Sequence, residues 1–279
     1  MSYLVPTSTA EALNLLSQSG AQIAAGCTDI YPARRQGHIP DRVLDITHIA
    51  DLRGIARTPE GWRIGAAVTW TQIANAELPP AFDGLKQAAL QVGAVQIQNR
   101  GTVAGNICNA SPAADGVPPL LALDARVEIA SRGGARVVAL ADFITGVRAV
   151  DLRADEMVTA ILIPALPEHA RGAFVKLGSR THLVISIAMV AAVVDCAGDS
   201  IASARVAAGS CSPVAQRLPA LEARLAGTPL ARIAEVDFAA PALFEPLSPI
   251  SDVRGSASYR LDVVAELCRR AVIRASKEG

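Results

Sequence analysis

The sequence predicts an α+β fold in two parts, and three features of its pattern indicate this. Up to Pro164, short apolar strands alternate with short helices, separated by glycine and proline breakers. Residues 166–172, LPEHARG, then read as a polar, proline-bearing linker. Beyond it come three strand-like segments in succession and two helical ones, a pattern typical of an antiparallel sheet with helices grouped beside it. We expect a boundary between residues 165 and 172.

The first part is predicted to begin with a short amphipathic helix. TSTAEALNLLSQSG offers an N-cap at Ser8 or Thr9, apolar residues at 12, 13, 15 and 16, and a stop at Gly20. Strands are predicted in AQIAA, RVLDI and GWRIG, followed by helices in TQIANAELPP and in AFDGLKQAALQVGAVQIQNRG. ARVEIAS and ARVVAL form a predicted hairpin, and EMVTAILIP is a strand that ends at its proline.

The second part is predicted to be a three-stranded meander followed by helices. The strands are GAFVKLG, LVISIAMVAAVV and SIASARVAAGS, of which the second, Leu183–Val194, is apolar enough for a buried strand. QRLPALEARLAG and the C-terminal segment from Ser258 are the helices. In the last helix, the apolar positions 261, 263, 264, 267, 271 and 272 share one face.

Composition and charge exclude some partners. The 279 residues carry 26 basic and 26 acidic side chains with no Lys or Arg run, so nucleic acid is not an expected partner. The longest apolar run falls short of the ~20 residues of a membrane span, and the start lacks a signal-peptide pattern. We therefore expect no membrane span and a cytoplasmic protein. Because 51% of the residues are hydrophobic, contacts with other subunits are expected.

No residue pattern indicates catalysis by side chains or a metal site. The five cysteines lack the close spacing of zinc or iron–sulfur ligands, so we expect free thiols. The four histidines show no paired spacing for a metal either. There is no acid–base dyad and no nucleophile with a partner. We predict neither catalytic nor metal-ligating residues, and Trp62 and Trp70 are expected to anchor a core or an interface.

Two glycine-bearing stretches are the candidate sites. AGCTD, Ala25–Asp29, follows a predicted strand, where successive small residues let backbone N–H groups converge on an anion. GTVAGN, residues 101–106, offers similar chemistry, and Asp115 follows it; the stretch lacks the spacing of a helix or strand. Two such turns suit a nucleotide-like ligand with two phosphates. From the residues alone, tight turns with capping side chains are an equal reading.

Both stretches resemble the flavin-binding motifs of the FAD subunit of molybdenum hydroxylases, the xanthine dehydrogenase and carbon monoxide dehydrogenase group. The family motif A-G-G-T-D reads AGCTD here, and R-G-T-I-G-G-N-[IL]-x-x-[AG]-S-P-x-x-D reads RGTVAGNICNASPAAD at 100–115. The likeness continues through PPLLALDARVEI, EMVTAILIP and FVKLGSR in the family's order, so it covers most of the chain.

The resemblance implies a two-lobed PCMH-type FAD-binding domain at residues 1–166 and a smaller domain of antiparallel sheet plus helices at 170–279, like the C-terminal domain of the CO dehydrogenase flavoprotein. It implies FAD as the cofactor and assigns site residues by similarity. The diphosphate and ribityl contacts are Ala25, Gly26, Cys27, Thr28, Asp29, Thr102, Val103, Ala104, Gly105 and Asn106. Asp115 is implied to bind the polar part of FAD, Val158 to offer a backbone contact to the ring, and Lys176 to stabilise negative charge on the reduced ring.

The sequence departs from the family pattern at three places. Cys27 replaces the second glycine of the first motif, and Ala104 replaces the first glycine of the pair in the second. A β-carbon disfavours positive φ and crowds a phosphate. The segment THLVISIAMV, residues 181–190, lacks the aromatic residue that some relatives place against the flavin.

By resemblance, the chain is one subunit of a complex. A large subunit with molybdopterin hydroxylates the substrate, a small subunit with two [2Fe-2S] clusters relays electrons, and FAD here passes them to NAD+, O2 or another acceptor. Two alternatives stay open at this point. One is a free-standing PCMH-type flavin oxidoreductase, and the other is a non-catalytic scaffold subunit that has lost FAD through the changes at Cys27 and Ala104.

Overall fold

The computed structural model describes residues 2–30 and 40–277, which form an α+β fold. Its first lobe contains the strands β1 (Ser2–Leu4), β2 (Gln22–Ala24) and β3 (Arg42–Asp45), in the order β1-β3-β2 with both pairings parallel. Helix α1 (Thr9–Ser19) packs against β3. Its ends are those predicted: the Ser8 side chain accepts the Glu11 N–H, and Gly20 ends the helix at φ 58°.

The second lobe is built on an antiparallel sheet of order β4-β5-β10-β6-β7. Its strands are β4 (Ile55–Thr58), β5 (Gly61–Gly65), β6 (Arg126–Ser131), β7 (Gly134–Ala139) and β10 (Met157–Pro164), and a small hairpin pairs β8 (Ile144–Gly146) with β9 (Ala149–Val150). Its helices are α2 (Trp70–Asn75), α3 (Asp83–Ala89), α4 (Val95–Gln98), α5 (Val103–Asn109), α6 (Val117–Ala122) and α7 (Leu140–Phe143). The predicted hairpin β6–β7 and strand β10 are confirmed.

Beyond Pro164 the chain forms a second antiparallel sheet of order β11-β12-β13-β14. The strands are β11 (Arg171–Leu177), β12 (Ala188–Ala197), β13 (Ser200–Gly209) and β14 (Gln216–Arg217), followed by the helices α8 (Pro219–Leu225) and α9 (Ala257–Ala275). The predicted meander is confirmed, with β14 as an addition. On α9, Val264, Leu267, Ala271 and Val272 are buried as predicted, whereas Leu261 is 36% exposed.

This sheet is covered on both faces. Helices α8 and α9 pack on one face, and α3 and α6 of the second lobe pack on the other. Along β12, Met189, Ala191 and Val193 join the core shared with the lobes, while Ala188, Val190, Ala192 and Val194 join the core under α8 and α9. Burial of alternate residues on opposite faces explains why this strand is a continuous apolar run.

The structure corrects two predicted elements. The single helix predicted in residues 81–101 is two short helices, α3 and α4, because Gly93 lies between them in the left-handed region at φ 55°. The strand predicted from Leu183 begins only at Ala188. Leu183 has φ 55°, and Leu183 and Ile185 are each 54% exposed, so apolarity alone overestimated the strand.

Candidate functional site

A cavity of about 560 Å³ lies between the two lobes, within the usual range for ligand sites. The first lobe contributes the turn that follows β2, and the second contributes α5, the segment before it and part of β10. Its lining includes the following residues of the predicted site: Ala25, Gly26, Cys27, Thr28, Asp29, Thr102, Ala104, Gly105, Asn106 and Val158. The fold therefore brings two stretches that lie far apart in sequence to one cavity.

The first turn begins where β2 ends, at the carboxyl edge of a parallel sheet, which is a common position for ligand sites in such sheets. Gly26 lies so close to the second lobe that a Cβ atom there would come within 1.8 Å of the Arg100 carbonyl oxygen. Within the described part of the chain, the backbone N–H groups of Gly26, Cys27, Thr28 and Asp29 donate no hydrogen bond. Among the described residues, nothing competes with an anion for them.

The second stretch contains a helix, contrary to the expectation that it lacks helical spacing. Thr102 caps α5 by accepting the Gly105 N–H at 3.0 Å, and Val103, Ala104 and Ile107 are buried on one face. The N–H of Val103 donates to the Val68 carbonyl, so the start of α5 is tied to the chain before α2. Short helices escape pattern analysis because two turns contain too few apolar positions. Val103 itself faces the core and is absent from the cavity lining.

Strand β10 and Trp70 complete the wall of the second lobe. Val158 is 4% exposed, and the pairing of β10 with β6 shifts register between Val158 and Ala160. Such a bulge re-aims side chains and backbone groups at a site. Trp70 is 1% exposed and also lines the cavity, so the prediction of a core anchor is confirmed and extended.

Asp115 and Lys176 lie outside the cavity lining and contact each other. The Lys176 Nζ donates to Asp115 Oδ2 at 2.6 Å, and the side chains are 5% and 9% exposed respectively. The Ser186 hydroxyl donates to Asp115 Oδ1 at 2.5 Å. Burial raises the pKa of Asp115, and the Lys176 ammonium opposes this rise. The pair adjoins the cavity wall because Gly116, next to Asp115, packs against Trp70 and Asn106.

Sequence reasoning missed Arg148, which joins the two stretches. Its Nη1 donates to Asp29 Oδ2 at 2.9 Å and to the Asn109 backbone carbonyl at 3.1 Å, and it also contacts the Asn109 side-chain oxygen. Arg148 lies 119 residues from Asp29 in a hairpin of unremarkable sequence, so no local signal pointed to it.

Cys27 adopts the left-handed backbone region at φ 57°. This conformation is costly for a residue with a β-carbon and is free of that cost for the glycine of the family motif. Its Sγ contacts the Ala25 carbonyl oxygen at 3.5 Å. Burial raises the pKa of the thiol, and the nearby Asp45 carboxylate raises it further, so the side chain is neutral at neutral pH. Ala104, by contrast, lies inside α5 and needs no positive φ.

We expect Cys27→Gly to raise FAD affinity with little change in stability. A left-handed non-glycine residue costs roughly 1–2 kcal/mol, and the added freedom of glycine in the unfolded chain offsets about 0.4–1 kcal/mol of the gain. A melting curve and a flavin titration measure both effects, with Cys196→Gly as the control outside the cavity. A clear loss of FAD affinity in Cys27→Gly would show that the thiol contributes to binding.

Two lobes enclose a cavity whose backbone N–H groups suit an anion, and a sheet covered on both faces packs against the second lobe. This arrangement is that of a subunit that binds a nucleotide cofactor. Residues 1–166 match the model of the FAD binding domain in molybdopterin dehydrogenase, and residues 173–275 match that of the CO dehydrogenase flavoprotein C-terminal domain. The chain belongs to the family of FAD-binding medium subunits of molybdenum hydroxylases.

Individual relatives agree over almost the whole chain. The putative xanthine dehydrogenase FAD-binding subunit XdhB of Escherichia coli K12 is 32% identical, with 97% of this chain and 94% of that protein covered. The nicotine 6-hydroxylase medium subunit of Paenarthrobacter nicotinovorans is also 32% identical, with 98% and 96% covered. A solved structure, reconstituted CO dehydrogenase from Oligotropha carboxidovorans, superimposes with a TM-score of 0.90 at 29% identity, covering 99% of this chain and 97% of that one.

The cofactor of the chain is FAD, and the cavity fits it. The N–H groups of the first turn, which donate to no other described residue, suit a diphosphate. The Asn106 Oδ1 atom is buried without a hydrogen-bond partner among the described residues, which suits a ligand donor such as a hydroxyl. No helix in residues 2–30 or 40–277 is long and apolar enough to cross a membrane. Within the same residues, no group of three or more His, Cys, Asp or Glu side chains is placed to hold a metal.

Proposed function

We propose that this chain is the electron-transfer subunit of a molybdenum hydroxylase complex. It receives electrons from the [2Fe-2S] clusters of a small partner subunit and passes them to NAD+, O2 or another acceptor, while a large molybdopterin-binding subunit oxidises the substrate. The observation that carries the proposal is the one cavity that both lobes line, with Ala25–Asp29 from the first and Thr102, Ala104, Gly105 and Asn106 from the second. Several relatives are called medium subunits or medium chains, which supports membership of a complex.

In this proposal the two lobes bind FAD from opposite sides. The N–H groups of Ala25–Asp29 bind the diphosphate, and Thr102–Asn106 bind its other side and the ribityl chain, with Asn106 Oδ1 accepting a hydroxyl. Val158 contacts the flavin ring through its backbone. Asp115 and Lys176 form the charged pair behind the wall and place a cation near the ring. We also propose a cytoplasmic location, consistent with five cysteines that form no disulfide.

Bound FAD supplies the redox chemistry, and the chain supplies binding, orientation and exclusion of water. Trp70 and Val158, which are buried and line the cavity, give its inner wall an apolar surface. The substrate is oxidised elsewhere in this proposal, so the relatives' different names, from xanthine dehydrogenase to nicotine 6-hydroxylase, are compatible with one cavity. We propose the xanthine dehydrogenase type for this chain, as in one relative that matches almost its entire length. The nicotine 6-hydroxylase medium subunit matches equally well, so assays of the assembled complex with both substrate classes test this proposal.

We expect Gly105→Val to abolish FAD retention while the fold persists. Gly105 lines the cavity, and among the described residues a Cβ there would meet only Thr102, with Oγ1 at 2.8 Å. The remaining methyl groups of valine would therefore enter the ligand space. Disturbing the Thr102 cap would cost about 1 kcal/mol in stability. Flavin absorption of the purified chain measures retention. Gly133→Val, in an open turn with its nearest neighbour at 3.6 Å, is the matched control. Normal flavin content in Gly105→Val would contradict the site assignment.

Coexpression with candidate partner subunits separates the complex from a free-standing flavin oxidoreductase. In the proposed complex, substrate bleaches the flavin absorption anaerobically. The complex carrying Gly105→Val should still reduce its iron–sulfur centres and fail to reduce the acceptor. Turnover by the chain alone, without partner subunits, would contradict the proposal. The scaffold alternative is opposed by the fit of the cavity to FAD and fails if the purified chain carries flavin.

A further inference from the structure

Arg148 lies at the rim of the cavity, where the hairpin β8–β9 meets the end of α5. Its own N–H donates to the Ala110 carbonyl at 2.9 Å, which fixes the hairpin on the helix end. From there its guanidinium reaches Asp29 in the first turn and Asn109 in α5. Asp29 and Asn109 both line the cavity. One side chain thus bonds to both walls.

The contact between Arg148 and Asp29 also changes the charge on the cavity wall. Among the described residues that line the cavity, Asp29 is the only one with a charged side chain, and its charge is negative. A carboxylate beside a diphosphate repels it, and no lysine or arginine of the described lining compensates. Arg148 Nη1, 2.9 Å from Asp29 Oδ2, brings a positive charge to this carboxylate from just outside the lining. Arg100 is close enough to act on the Cys27 thiol, whereas Arg148 contacts Asp29 itself.

The ion pair of Arg148 and Asp29 is partly exposed to solvent, which limits its contribution to the stability of the fold. Arg148 and Asp29 side chains are 49% and 45% exposed, so their attraction contributes little to overall stability. The consequence for an anionic ligand is larger than for the fold. With Arg148 present, the turn offers its N–H groups to the ligand and a neutral ion pair behind them. Without Arg148, the same turn offers its N–H groups beside an Asp29 carboxylate that has lost this ion pair.

We propose that Arg148 is a positioning residue for the cofactor: it neutralises Asp29 and holds the first turn against α5, so that uncharged backbone N–H groups can bind the FAD diphosphate. This inference rests on the proposed function, because it requires that FAD occupies this cavity with its diphosphate at Ala25–Asp29. It adds a residue from a third segment of the chain, in neither of the two motifs.

The test is a flavin titration of the full chain carrying Arg148→Ala, Arg148→Lys or the double change Arg148→Ala with Asp29→Asn. We expect Arg148→Ala to weaken FAD binding about tenfold at low salt and less at high salt, because added salt screens the exposed carboxylate. Lysine at 148 should restore part of the affinity through its charge. The double variant should bind FAD more tightly than Arg148→Ala, because the repelling charge is gone. Arg232→Ala, which breaks the exposed pair with Glu235 far from the cavity, is the matched control and should bind like the unsubstituted chain.

Circular dichroism and a melting curve establish that each variant is folded before titration. Unchanged affinity in Arg148→Ala would overturn the proposal. The proposal would also be overturned if the double variant bound FAD no more tightly than Arg148→Ala and if FAD affinity did not depend on salt. Arg148 would then only hold the two walls together. The unsubstituted chain is titrated with FAD first. If it fails to bind FAD, the proposed function is contradicted, and the role of Arg148 with it.

Discussion

Gly26→Ala is expected to reduce FAD affinity strongly, although it adds only one methyl group. The new Cβ would lie 1.8 Å from the Arg100 carbonyl oxygen and 2.8 Å from Gly101 Cα, both backbone atoms of the opposite lobe. Backbone atoms cannot rotate aside, so the first turn must move away from the segment that leads into α5. Overpacking of this kind costs about 1–3 kcal/mol, and the upper end corresponds to about a hundredfold in affinity.

Flavin titration of the purified chain measures this loss, and a melting curve in the absence of FAD separates it from a loss of stability. Gly146→Ala is the matched control, because a Cβ there has its nearest neighbour at 3.7 Å and no positive φ to maintain. If Gly26→Ala bound FAD like the control, the close approach of the two lobes would not be needed for the cofactor site.

Asp115→Ala is expected to destabilise the fold by about 3–5 kcal/mol, the usual cost of removing one partner of a buried ion pair. The Lys176 ammonium would be left 5% exposed with no carboxylate at its former 2.6 Å contact. Since Asp115 precedes α6 and Lys176 lies on β11, the loss falls where the second sheet packs on the second lobe. Chemical denaturation measures the change in the free energy of unfolding.

Two further variants interpret that result. Asp115→Ala combined with Lys176→Met removes both charges and should recover most of the stability, because no unpaired charge stays buried. Glu235→Ala, at an exposed pair, should cost about 0–1 kcal/mol. A stable Asp115→Ala variant would show that the pair is not needed for the fold. Unchanged FAD affinity in the stabilised double variant would contradict the cofactor roles implied for Asp115 and Lys176.

Part of the candidate cofactor site could be predicted from its residues. Small residues in AGCTD and GTVAGN predicted two anion-accepting stretches, and family resemblance made the ligand FAD. The form of the second stretch was wrong, since Val103–Asn109 is a helix capped by Thr102 rather than an irregular turn. In this form the N–H groups of Gly101, Val103, Gly105 and Asn106 already donate hydrogen bonds within the chain. The contact of this stretch with the cofactor therefore stays a prediction.

The sequence by itself determined the elements that have clear local signals, because caps, glycine stops and alternation act over a few residues. Ser8 and Gly20 bound α1 as predicted, and the meander of β11 to β13 follows from its apolar segments. Only the tertiary structure decided where Leu183–Ala197 becomes a strand, since that depends on which residues are covered by α3, α6, α8 and α9. It also decided that Asp115 pairs with Lys176 and that Arg148 reaches Asp29 across 119 residues. Such contacts depend on how distant segments pack, and no spacing along the chain encodes them.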